Sequence, residues 1–381
     1  MTMTFVLTEE QNLLRDSARV FLFENAPVAQ LRSLRDTHDA TGFSRALWQD
    51  FAKMGFTGIL VPEAHGGMGL GHTEAGLLMQ EIGRNLTASP FLASSVVAVT
   101  AIVQGGNPEQ QARLLPQLAR GGCIATLAVD EVSKHRPQQI ALRATRTADG
   151  WQLTGSKTFV LDGHVADRLV VAARIEGEPG DAQGVALFLV PRDGAGVRIE
   201  RVLMVDAHNA ARIDFGKVAV GADALLGGEA GGGAALHAAL DAGRAAVAAE
   251  MLGLADEVFA RTLGFLKERK QFDRRIGEFQ ALQHRAAILF CDLELARAAV
   301  MHALRSLDTG SADAWMAVAV AKARACRTVA LAVQEGVQMH GGMGMTDELD
   351  LGLFMKRARV LQELFGDAAF HADRLAAERR Y

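Results

Sequence analysis

The order in which residue types follow one another along this chain of 381 residues limits its fold more than any single motif does. Residues 123–225 contain short apolar runs rich in β-branched residues, such as IATLAVD and GVALFLVPRD, separated by Gly and Asp, which is typical of β-strands. The segments before and after this region carry apolar residues at helical spacing instead. Long consecutive blocks favour an α+β fold over a doubly wound α/β sheet.

The first helical block begins with a capping box. In Thr8-Glu9-Glu10-Gln11 the Thr8 hydroxyl and the Gln11 amide can each satisfy a free backbone group at the helix start. Leu14, Ala18 and Phe21 then recur at the spacing of one helix face. Further helices are expected in this block near residues 44–54, 73–84 and 90–104.

Long helices rich in Ala and Leu are expected after the β region, over residues 236–268, 278–306, 312–339 and 353–377. Helices of this kind with short loops can pack as a four-helix bundle. The glycine-rich stretch at 225–234 precedes them and lacks the Lys-Ser/Thr of a P-loop, so we interpret it as a domain joint. We expect an N-terminal helical domain over residues 1–122, a middle β domain over 123–226 and a C-terminal four-helix bundle over 227–381.

Composition and charge argue against several classes of protein. A net charge of -4 disfavours nucleic-acid or anionic-membrane binding, and a hydrophobic content of 49% suits large buried cores. No apolar run approaches the roughly 20 residues of a membrane span, and the start MTMTFVLTEEQ lacks the pattern of a signal peptide. Cys123, Cys291 and Cys326 are too scattered for a disulfide framework or a zinc site. We therefore expect a cytoplasmic protein without a bound metal.

The pentapeptide HGGMG occurs twice, at residues 65–69 and 340–344. Neither copy follows a strand inside a βαβ unit, so a Rossmann dinucleotide site is not indicated. A glycine turn is the simple interpretation of either copy. The second copy, however, follows a long predicted helix and Gln338, where glycines would let backbone amides approach a ligand closely.

Cations and amides are concentrated in the segment RKQFDRRIGEFQALQH, residues 269–284. Cations near the C-terminal end of a helix are favourable by about 0.3–1 kcal/mol, so a solvated helix end is one explanation. Arg269, Gln271 and Gln280 also supply donors of the kind that hold phosphate groups. Together with QMHGG at 338–342, the pattern favours a diphosphate-binding element.

These motifs together resemble those of the acyl-CoA dehydrogenase family, over essentially the whole chain. The family's Arg-x-Gln-Phe-Gly element is similar to Arg269–Asp273, with Asp in place of the last Gly, and its Phe-Gln pair is similar to Phe279-Gln280. Its Gln-x-x-Gly-Gly-x-Gly is similar to Gln338–Gly344, and its early Gly-Gly-x-Gly-Leu to Gly66–Leu70. The resemblance implies an α+β, acyl-CoA dehydrogenase-like fold with FAD as cofactor.

The resemblance also implies roles for individual residues. In the family the two late motifs reach the flavin site of a neighbouring subunit, which implies an oligomer. The family's Asp-x-x-Arg is similar to Asp241 and Arg244, which are expected to contact the CoA part of an acyl-CoA substrate. An electron-transferring flavoprotein is the implied electron acceptor. The residues expected to contact FAD lie in both late motifs and in the β domain: Arg269, Gln271, Phe272, Gln280, Gln338, Gly341, Gly342, Val129 and Phe159.

The chain departs from the family pattern at the catalytic base and in the flavin pocket. Family members oxidise an acyl-CoA between Cα and Cβ, with a carboxylate base and hydride transfer to the flavin. The Glu of the family's Glu-Gly-Thr turn is replaced by Phe365, and the alternative position before the helix arginine is Gly243. The family's Thr-Glu-Pro is similar to Asp130-Glu131-Val132, so that a carboxylate replaces a hydroxyl next to the flavin.

Glu250 is the first candidate base that remains, and Glu363, two residues before Phe365, could substitute only if the turn is reshaped. It lies seven residues after Gly243, about two turns along the same helix face, in the apolar run RAAVAAEMLG. A buried carboxylate can serve as a general base, whereas pairing with an arginine such as Arg244 or Arg261 would make Glu250 structural. Near the altered turn, Asp367 is expected to cap a turn or helix.

Two functions follow from these departures. The first is a FAD-dependent acyl-CoA dehydrogenase that introduces a Cα=Cβ double bond, with Glu250 as its base. The alternative is a non-catalytic subunit of a heterotetramer that completes the FAD site of a second acyl-CoA dehydrogenase chain. The elements that act across a subunit boundary are intact in this sequence, while those of its own pocket are altered. Oxidase or desulfinase chemistry on the same scaffold is a third, weaker hypothesis.

Overall fold

A computed structural model describes residues 6–379 of the chain. Residues 1–5, part of the segment on which the expectation about a signal peptide rests, lie outside the described residues. Within residues 6–379 the chain forms two compact units, of which one comprises residues 6–33, 72–87 and 244–379, and the other residues 34–71 and 88–243. The division into three domains made from the sequence stays a prediction.

Along the chain, α-helices precede and follow the β region, as the sequence predicts. In chain order they are α1 (Glu9–Asn25), α2 (Val28–Asp36), α3 (Arg45–Lys53), α4 (His72–Asn85), α5 (Val99–Gly105), α6 (Pro108–Ala119), α7 (Gly228–Glu268), α8 (Gln280–Asp308), α9 (Ala314–His340), α10 (Leu351–Glu363) and α11 (Ala368–Arg379). The capping box at the start of α1 is confirmed, because the Gln11 N–H donates to the Thr8 hydroxyl at 3.2 Å and the Thr8 N–H to Gln11 Oε1 at 3.1 Å. Within residues 6–379 no helix combines the length and the apolar character that crossing a bilayer requires.

The strands of the β region form one mixed sheet within the second unit. They are β1 (Ala125–Ala128), β2 (Arg143–Thr147), β3 (Gly150–Leu161), β4 (Arg168–Arg174), β5 (Val185–Pro191), β6 (Val197–Leu203), β7 (Asn209–Gly221) and β8 (Leu225–Leu226). Their order is β6-β7-β3-β2-β4-β5-β8, and β1 pairs with β4 in parallel. Two further strands, β9 (Lys270–Gln271) and β10 (Arg274–Arg275), form a separate antiparallel ribbon. The strand β6 therefore lies at one edge of the large sheet.

Three segments differ in detail from the sequence predictions. The helix expected at 90–104 begins as a π-helix, Phe91–Ala98, in which every residue is buried, so apolar spacing carries no signal there. The helix expected at 353–377 is divided into α10 and α11 by a turn with φ values of +56° at Phe365 and +104° at Gly366. The glycine-rich joint is largely helical, since α7 already begins at Gly228. A Cβ on Gly232 would lie 2.6 Å from the Cα of Ala186, which explains one glycine of that run by close packing.

Candidate functional site

The ribbon of β9 and β10 places the cationic segment at the surface of the first unit. The two residues that join its strands, Phe272 and Asp273, have φ values of +52° and +60°. Two positive φ values are typical of the type I′ turn, whose twist matches that of the paired strands. The similar family element has Gly at the position of Asp273, and Asp is among the residues that tolerate this conformation best after Gly. The substitution is therefore compatible with the shape of the ribbon.

Aromatic contacts hold the ribbon in place from one side. The ring of Phe272 meets that of Phe279 edge to face, with 6.1 Å between the centroids, and the guanidinium of Arg274 lies 4.1 Å from the Phe279 centroid. Phe272 is nevertheless 86% exposed, and the side chains of Arg269 and Gln271 are exposed as well. The ribbon thus presents its predicted cofactor contacts away from the interior of the unit.

The second HGGMG copy lies beside the start of this ribbon. The imidazole of His340 stacks on the ring of Phe265 with 4.3 Å between the centroids. The carbonyl of Phe265 accepts the N–H of Arg269, the first residue of the cationic segment. The stack therefore brings the second HGGMG copy next to the start of the cationic segment, although the two motifs are about 70 residues apart in the sequence.

Two glycines of this second copy are open, whereas Gly344 is buried, and a Cβ there would lie 2.7 Å from the Val337 carbonyl oxygen. A Cβ built on Gly341 or Gly342 meets no atom within 4 Å, and both residues are exposed together with Gln338. Backbone amides without covering side chains leave space for a ligand to approach. The members of this surface, called the exposed group below, are Arg269, Gln271, Phe272, Gln280, Gln338, Gly341 and Gly342, all of which are exposed.

The first HGGMG copy is instead built into the second unit. A Cβ on Gly67 would lie 2.1 Å from the carbonyl oxygen of Val61 and 2.4 Å from the Val61 Cβ. The N–H of Gly69 donates to the same carbonyl at 2.9 Å, and the N–H of Met68 donates to the carbonyl of Gly58 at 3.0 Å. The simple interpretation as a glycine turn accounts for this copy.

Glu250, the candidate base, lies in a buried ion pair between two helices. Its side chain projects from α7 and is buried, and its Oε1 accepts hydrogen bonds from Nε and a terminal nitrogen of Arg357 on α10, each 2.7 Å away. Arginine pairing was the structural alternative considered from the sequence, although Arg357 was not among the partners foreseen. The pair joins α7 and α10 inside the first unit.

The turn between α10 and α11 is held by buried cations. Arg244, which is 2% exposed, donates from Nε to the carbonyl of Phe365 at 3.2 Å, and its guanidinium lies 5.6 Å from the centroid of the Phe370 ring. A positive φ at an aromatic residue is rare and persists only where the surroundings enforce it. Asp367 caps the following helix, as expected, since its Oδ1 accepts the N–H of Phe370 at 2.8 Å.

Lys322 is a member of this cluster that the sequence reasoning missed. Its ammonium is buried and donates to the carbonyls of Gly366 at 2.8 Å and Gln362 at 3.2 Å. Burial lowers the pKa of Lys322, and the nearby Arg244 lowers it further, while Cys326 and Asp367 act in the opposite direction. Carbonyls at a helix C-terminus favour a cation. A lone Lys within the apolar pattern of α9 is the one sequence signal that could have pointed to it.

In the second unit, the segments predicted to contact flavin meet at a bulge. Phe159 has a φ of +55°, and the pairing of β3 with β7 shifts register between Lys157 and Val160. Bulges of this kind re-aim side chains and are frequent beside active sites. The Val129 carbonyl accepts from the buried Lys157 ammonium at 2.9 Å, and burial lowers the pKa of Lys157. The loop after β1 is thus anchored to the bulged strand.

Asp130, whose carboxylate replaces a family hydroxyl, has a partner within its own loop. Nδ1 of His135 lies 2.9 Å and 3.0 Å from its two carboxylate oxygens. Its backbone carbonyl accepts the N–H of Thr158 at 2.7 Å. The next carboxylate, Glu131, accepts from the Lys157 ammonium at 2.7 Å. Both acidic side chains are therefore engaged in holding the loop.

Comparison with known proteins identifies the family. Models of the N-terminal, middle and C-terminal domains of acyl-CoA dehydrogenases match residues 8–122, 132–218 and 230–379. The mitochondrial isovaleryl-CoA dehydrogenase of Pongo abelii is 30% identical over 93% of this chain and 85% of that protein. The chain belongs to the acyl-CoA dehydrogenase family.

Other family members agree in sequence and in fold. The mitochondrial long-chain specific acyl-CoA dehydrogenase of Mus musculus is 29% identical over 95% of this chain and 84% of that protein. A solved structure of the ChsE4-ChsE5 complex from Mycobacterium tuberculosis matches with a TM-score of 0.90 and 26% identity, covering 99% of either chain. The acyl-CoA dehydrogenase-like fold, with helical, β and helical parts in that order, is thereby confirmed.

Acyl-CoA dehydrogenases are FAD-dependent flavoproteins, and the exposed group has the chemistry to hold part of that cofactor. A guanidinium at Arg269 and amides at Gln271 and Gln338 match diphosphate oxygens, and the open glycines would admit them. In the second unit the hydroxyl expected beside a flavin is absent at Asp130. The roles of individual residues, including substrate contacts by Asp241 and Arg244 and flavin contacts by Val129 and Phe159, stay predictions.

Proposed function

We propose that this chain is a non-catalytic subunit of a two-component acyl-CoA dehydrogenase and that it completes the FAD site of a different chain. The state of the possible bases carries the proposal. Phe occupies position 365, Gly occupies position 243, and the buried Glu250 carboxylate on α7 is held by Arg357 on α10. A general base must come within hydrogen-bond reach of the proton that it removes. Positions 365 and 243 therefore carry no carboxylate that could remove a proton from the substrate. The carboxylate of Glu250 is already bound by Arg357.

The contribution of this chain is to binding. FAD, when bound, supplies the hydride acceptor of the dehydrogenation. In the exposed group, Arg269 donates to phosphate oxygens, while the amides of Gln271 and Gln338 add neutral donors. Open glycines at positions 341 and 342 allow the backbone to approach the same ligand. All these residues are exposed in the single chain, as groups that serve a neighbouring subunit would be.

Exposed apolar side chains of the same unit favour the binding of a neighbouring chain. Ile288, Phe290 and Leu295 on α8 are 63%, 54% and 60% exposed, and Met345 beside the open glycines is 74% exposed. Ile288 and Leu295 lie seven residues apart and so share one face of α8, whereas Phe290 lies on the opposite face. An exposed apolar helix face is frequent at protein interfaces. The similarity to a chain of the ChsE4-ChsE5 complex supports a heteromer in particular.

The visible spectrum tests this function. The chain should be purified alone and together with a second acyl-CoA dehydrogenase chain that carries an intact Glu-Gly-Thr turn or helix Glu, and each sample titrated with a panel of acyl-CoA thioesters. We expect the single chain to be colourless, or yellow without bleaching, and the pair to be yellow and to bleach with one thioester. Bleaching of the single chain would overturn the proposal.

A second candidate function is a self-sufficient dehydrogenase that forms the Cα=Cβ double bond with Glu250 as its base and passes electrons to an electron-transferring flavoprotein. The favouring observation is that Glu250 is a buried carboxylate on α7, two turns beyond Gly243. In that case Glu250→Gln abolishes flavin reduction by the acyl-CoA while FAD stays bound. Reduction at the original rate in this variant would exclude Glu250 as the base.

A further inference from the structure

A cavity of about 390 Å³ opens between α1, α4 and α8 of the first unit. Each of these helices contributes residues at helical spacing, so that one face of each helix turns toward the cavity. The guanidinium groups that line it belong to Arg15 and Arg19 on α1, Arg84 on α4 and Arg297 on α8. The volume lies within the range of about 300–1,000 Å³ that sites for small molecules occupy.

Buried carboxylates hold three of these arginines in place. Arg19 donates from Nε and a terminal nitrogen to the two oxygens of Glu81, at 3.1 and 3.0 Å. Arg84 and Arg297 share Asp256, at 2.7 Å from Arg84 and at 2.8 and 3.1 Å from Arg297. Both carboxylates are buried behind the arginines and do not line the cavity. These pairs fix three guanidinium groups at the wall of the cavity before a ligand arrives.

Two further carboxylates lie nearer to solvent. Glu294, which lines the cavity, is half-exposed and pairs with Arg297, while the exposed Asp16 pairs with Arg15. The charges of the four arginines are therefore matched by four carboxylates. What the cavity offers to a ligand is a set of directed hydrogen-bond donors, not an excess of positive charge.

Several of these donors are not used within the chain. Gln80 lines the cavity although it is only 8% exposed, and its amide forms no hydrogen bond with the residues that the structure describes. Arg19 uses two of its three nitrogens on Glu81, and the terminal nitrogen of Arg84 that faces Glu257 is 4.0 Å from it, too far for a hydrogen bond. A buried amide without a partner costs free energy, which a ligand with a matching acceptor recovers.

Close packing of two helices fixes the position of Gln80. A Cβ on Gly253 of α7 would lie 1.9 Å from the carbonyl oxygen of Gln80, and a Cβ on Gly83 would lie 2.2 Å from that of Glu250. Glycine at these two positions lets α4 lie directly against α7. The backbone of α4 is therefore held, and Gln80 cannot reach solvent by a shift of its helix.

Apolar side chains form another part of the lining. Leu77 and Met301 are both buried at the cavity. Leu77 lies one turn before Gln80 on α4, and Met301 lies one turn after Arg297 on α8, so each apolar side chain is next to a polar one. An inorganic anion would leave this apolar surface unused, whereas a ligand with a short hydrocarbon chain would cover it.

We propose that this cavity is a binding site for a small organic carboxylate with a short apolar chain. The carboxylate accepts hydrogen bonds from the amide of Gln80 and from the unused nitrogens of Arg19 and Arg84. The chain of the ligand lies against Leu77 and Met301. The proposal goes beyond the proposed function, because it concerns neither FAD nor the exposed group.

Saturation-transfer NMR of hexanoate with the full chain provides the test. Hexanol lacks the charge of hexanoate and inorganic phosphate lacks its hydrocarbon chain, and each is expected to bind at least about tenfold more weakly. Gln80→Leu is expected to weaken hexanoate about tenfold, because a hydrogen bond to a charged group is lost. Since the amide has no partner in the described chain, the same variant should keep or raise the thermal unfolding midpoint without ligand.

The same substitution at a buried glutamine that has partners is the matched control. Gln110 donates from its amide to the carbonyls of Asp223 and Leu225 in the second unit, at 2.7 and 3.1 Å. Gln110→Leu is expected to lower the unfolding midpoint and to bind hexanoate within about twofold of the original chain. Gln80→Glu places a carboxylate of the chain itself beside the same arginines, and it is expected to abolish hexanoate binding.

Three results would overturn the proposal. The first is no binding of hexanoate at concentrations up to about 10 mM, or equal weakening of its binding by Gln80→Leu and Gln110→Leu. The second is phosphate that binds as tightly as hexanoate, because the apolar part of the cavity would then have no role. The third is a lower unfolding midpoint in Gln80→Leu, which would assign this amide to the stability of the fold.

Discussion

The same five residues, HGGMG, serve two different purposes in this molecule. In the copy at 65–69 the glycines are required by the protein itself, since a Cβ on Gly67 would collide with Val61. In the copy at 340–344 a Cβ on Gly341 or Gly342 would meet nothing within 4 Å, while His340 stacks on Phe265 and Gly344 is packed against Val337. The difference shows that the role of a glycine motif depends on the atoms that surround it in the fold. Inward-facing polar and glycine residues hold the chain together, while outward-facing ones remain available for a ligand or another chain.

The largest effect is expected for the inward-facing ion pair. Arg357→Leu leaves Glu250 buried without its guanidinium and is expected to reduce the free energy of unfolding by about 3–5 kcal/mol. Chemical denaturation measures the change. The double variant Glu250→Met with Arg357→Leu removes both charges and should recover most of the loss. If single and double variants are equally unstable, packing rather than charge governs this contact.

The two glycine copies can be compared by one identical substitution. Gly67→Ala inserts a methyl group against the Val61 backbone and is expected to cost about 3 kcal/mol of stability. Gly342→Ala enters open space and is expected to stay within about 0.5 kcal/mol. Urea denaturation of both variants provides the comparison. Similar losses at the two positions would contradict the division into inward-facing and outward-facing glycines.

An outward-facing residue should affect binding without affecting stability. In the assembled two-chain protein, Arg269→Gln loses a charge-assisted phosphate contact and is expected to weaken FAD binding about tenfold, with unfolding of the single chain unchanged. FAD release can be followed by flavin fluorescence. Arg359→Gln, which removes a surface arginine paired with Glu363, is the control and should retain the cofactor. Loss of stability in Arg269→Gln would place this arginine among the inward-facing groups.

The smallest effect is a pH dependence set by an inward-facing histidine. Because the pKa of His164 is lowered below its usual 6.5, chiefly by burial, the unfolded chain binds more protons than the folded one below that pH. The contribution of His164 is therefore present above about pH 6.5 and is lost as the pH falls through the lowered pKa. Denaturation midpoints across this range should show a flatter profile for His164→Gln. An identical profile in the variant would assign the acid sensitivity to other groups.

Local patterns were predictable from the sequence, and long-range partners were not. The capping box at Thr8 depends on neighbours within a few residues. The same holds for the order of helical, β and helical segments and for the distinction between the two glycine copies. The pairing of Glu250 with Arg357 joins positions 107 residues apart, and periodicity does not specify which of several arginines will be the partner. The break in the helix predicted at 353–377 was missed from periodicity, although Gly366 is a turn signal and the family resemblance implies a turn at 365–367.

That turn has a consequence for how this chain can change. Arg244 and Lys322 hold it through main-chain oxygens of Phe365, Gly366 and Gln362, which exist whatever side chain position 365 carries. The shape of the turn is thus separated from the chemistry of its central residue. In evolutionary terms, an acid could be lost or regained here by a single codon change without rebuilding the scaffold. A change of residue at position 365 can therefore alter the chemistry of this turn while its architecture stays the same.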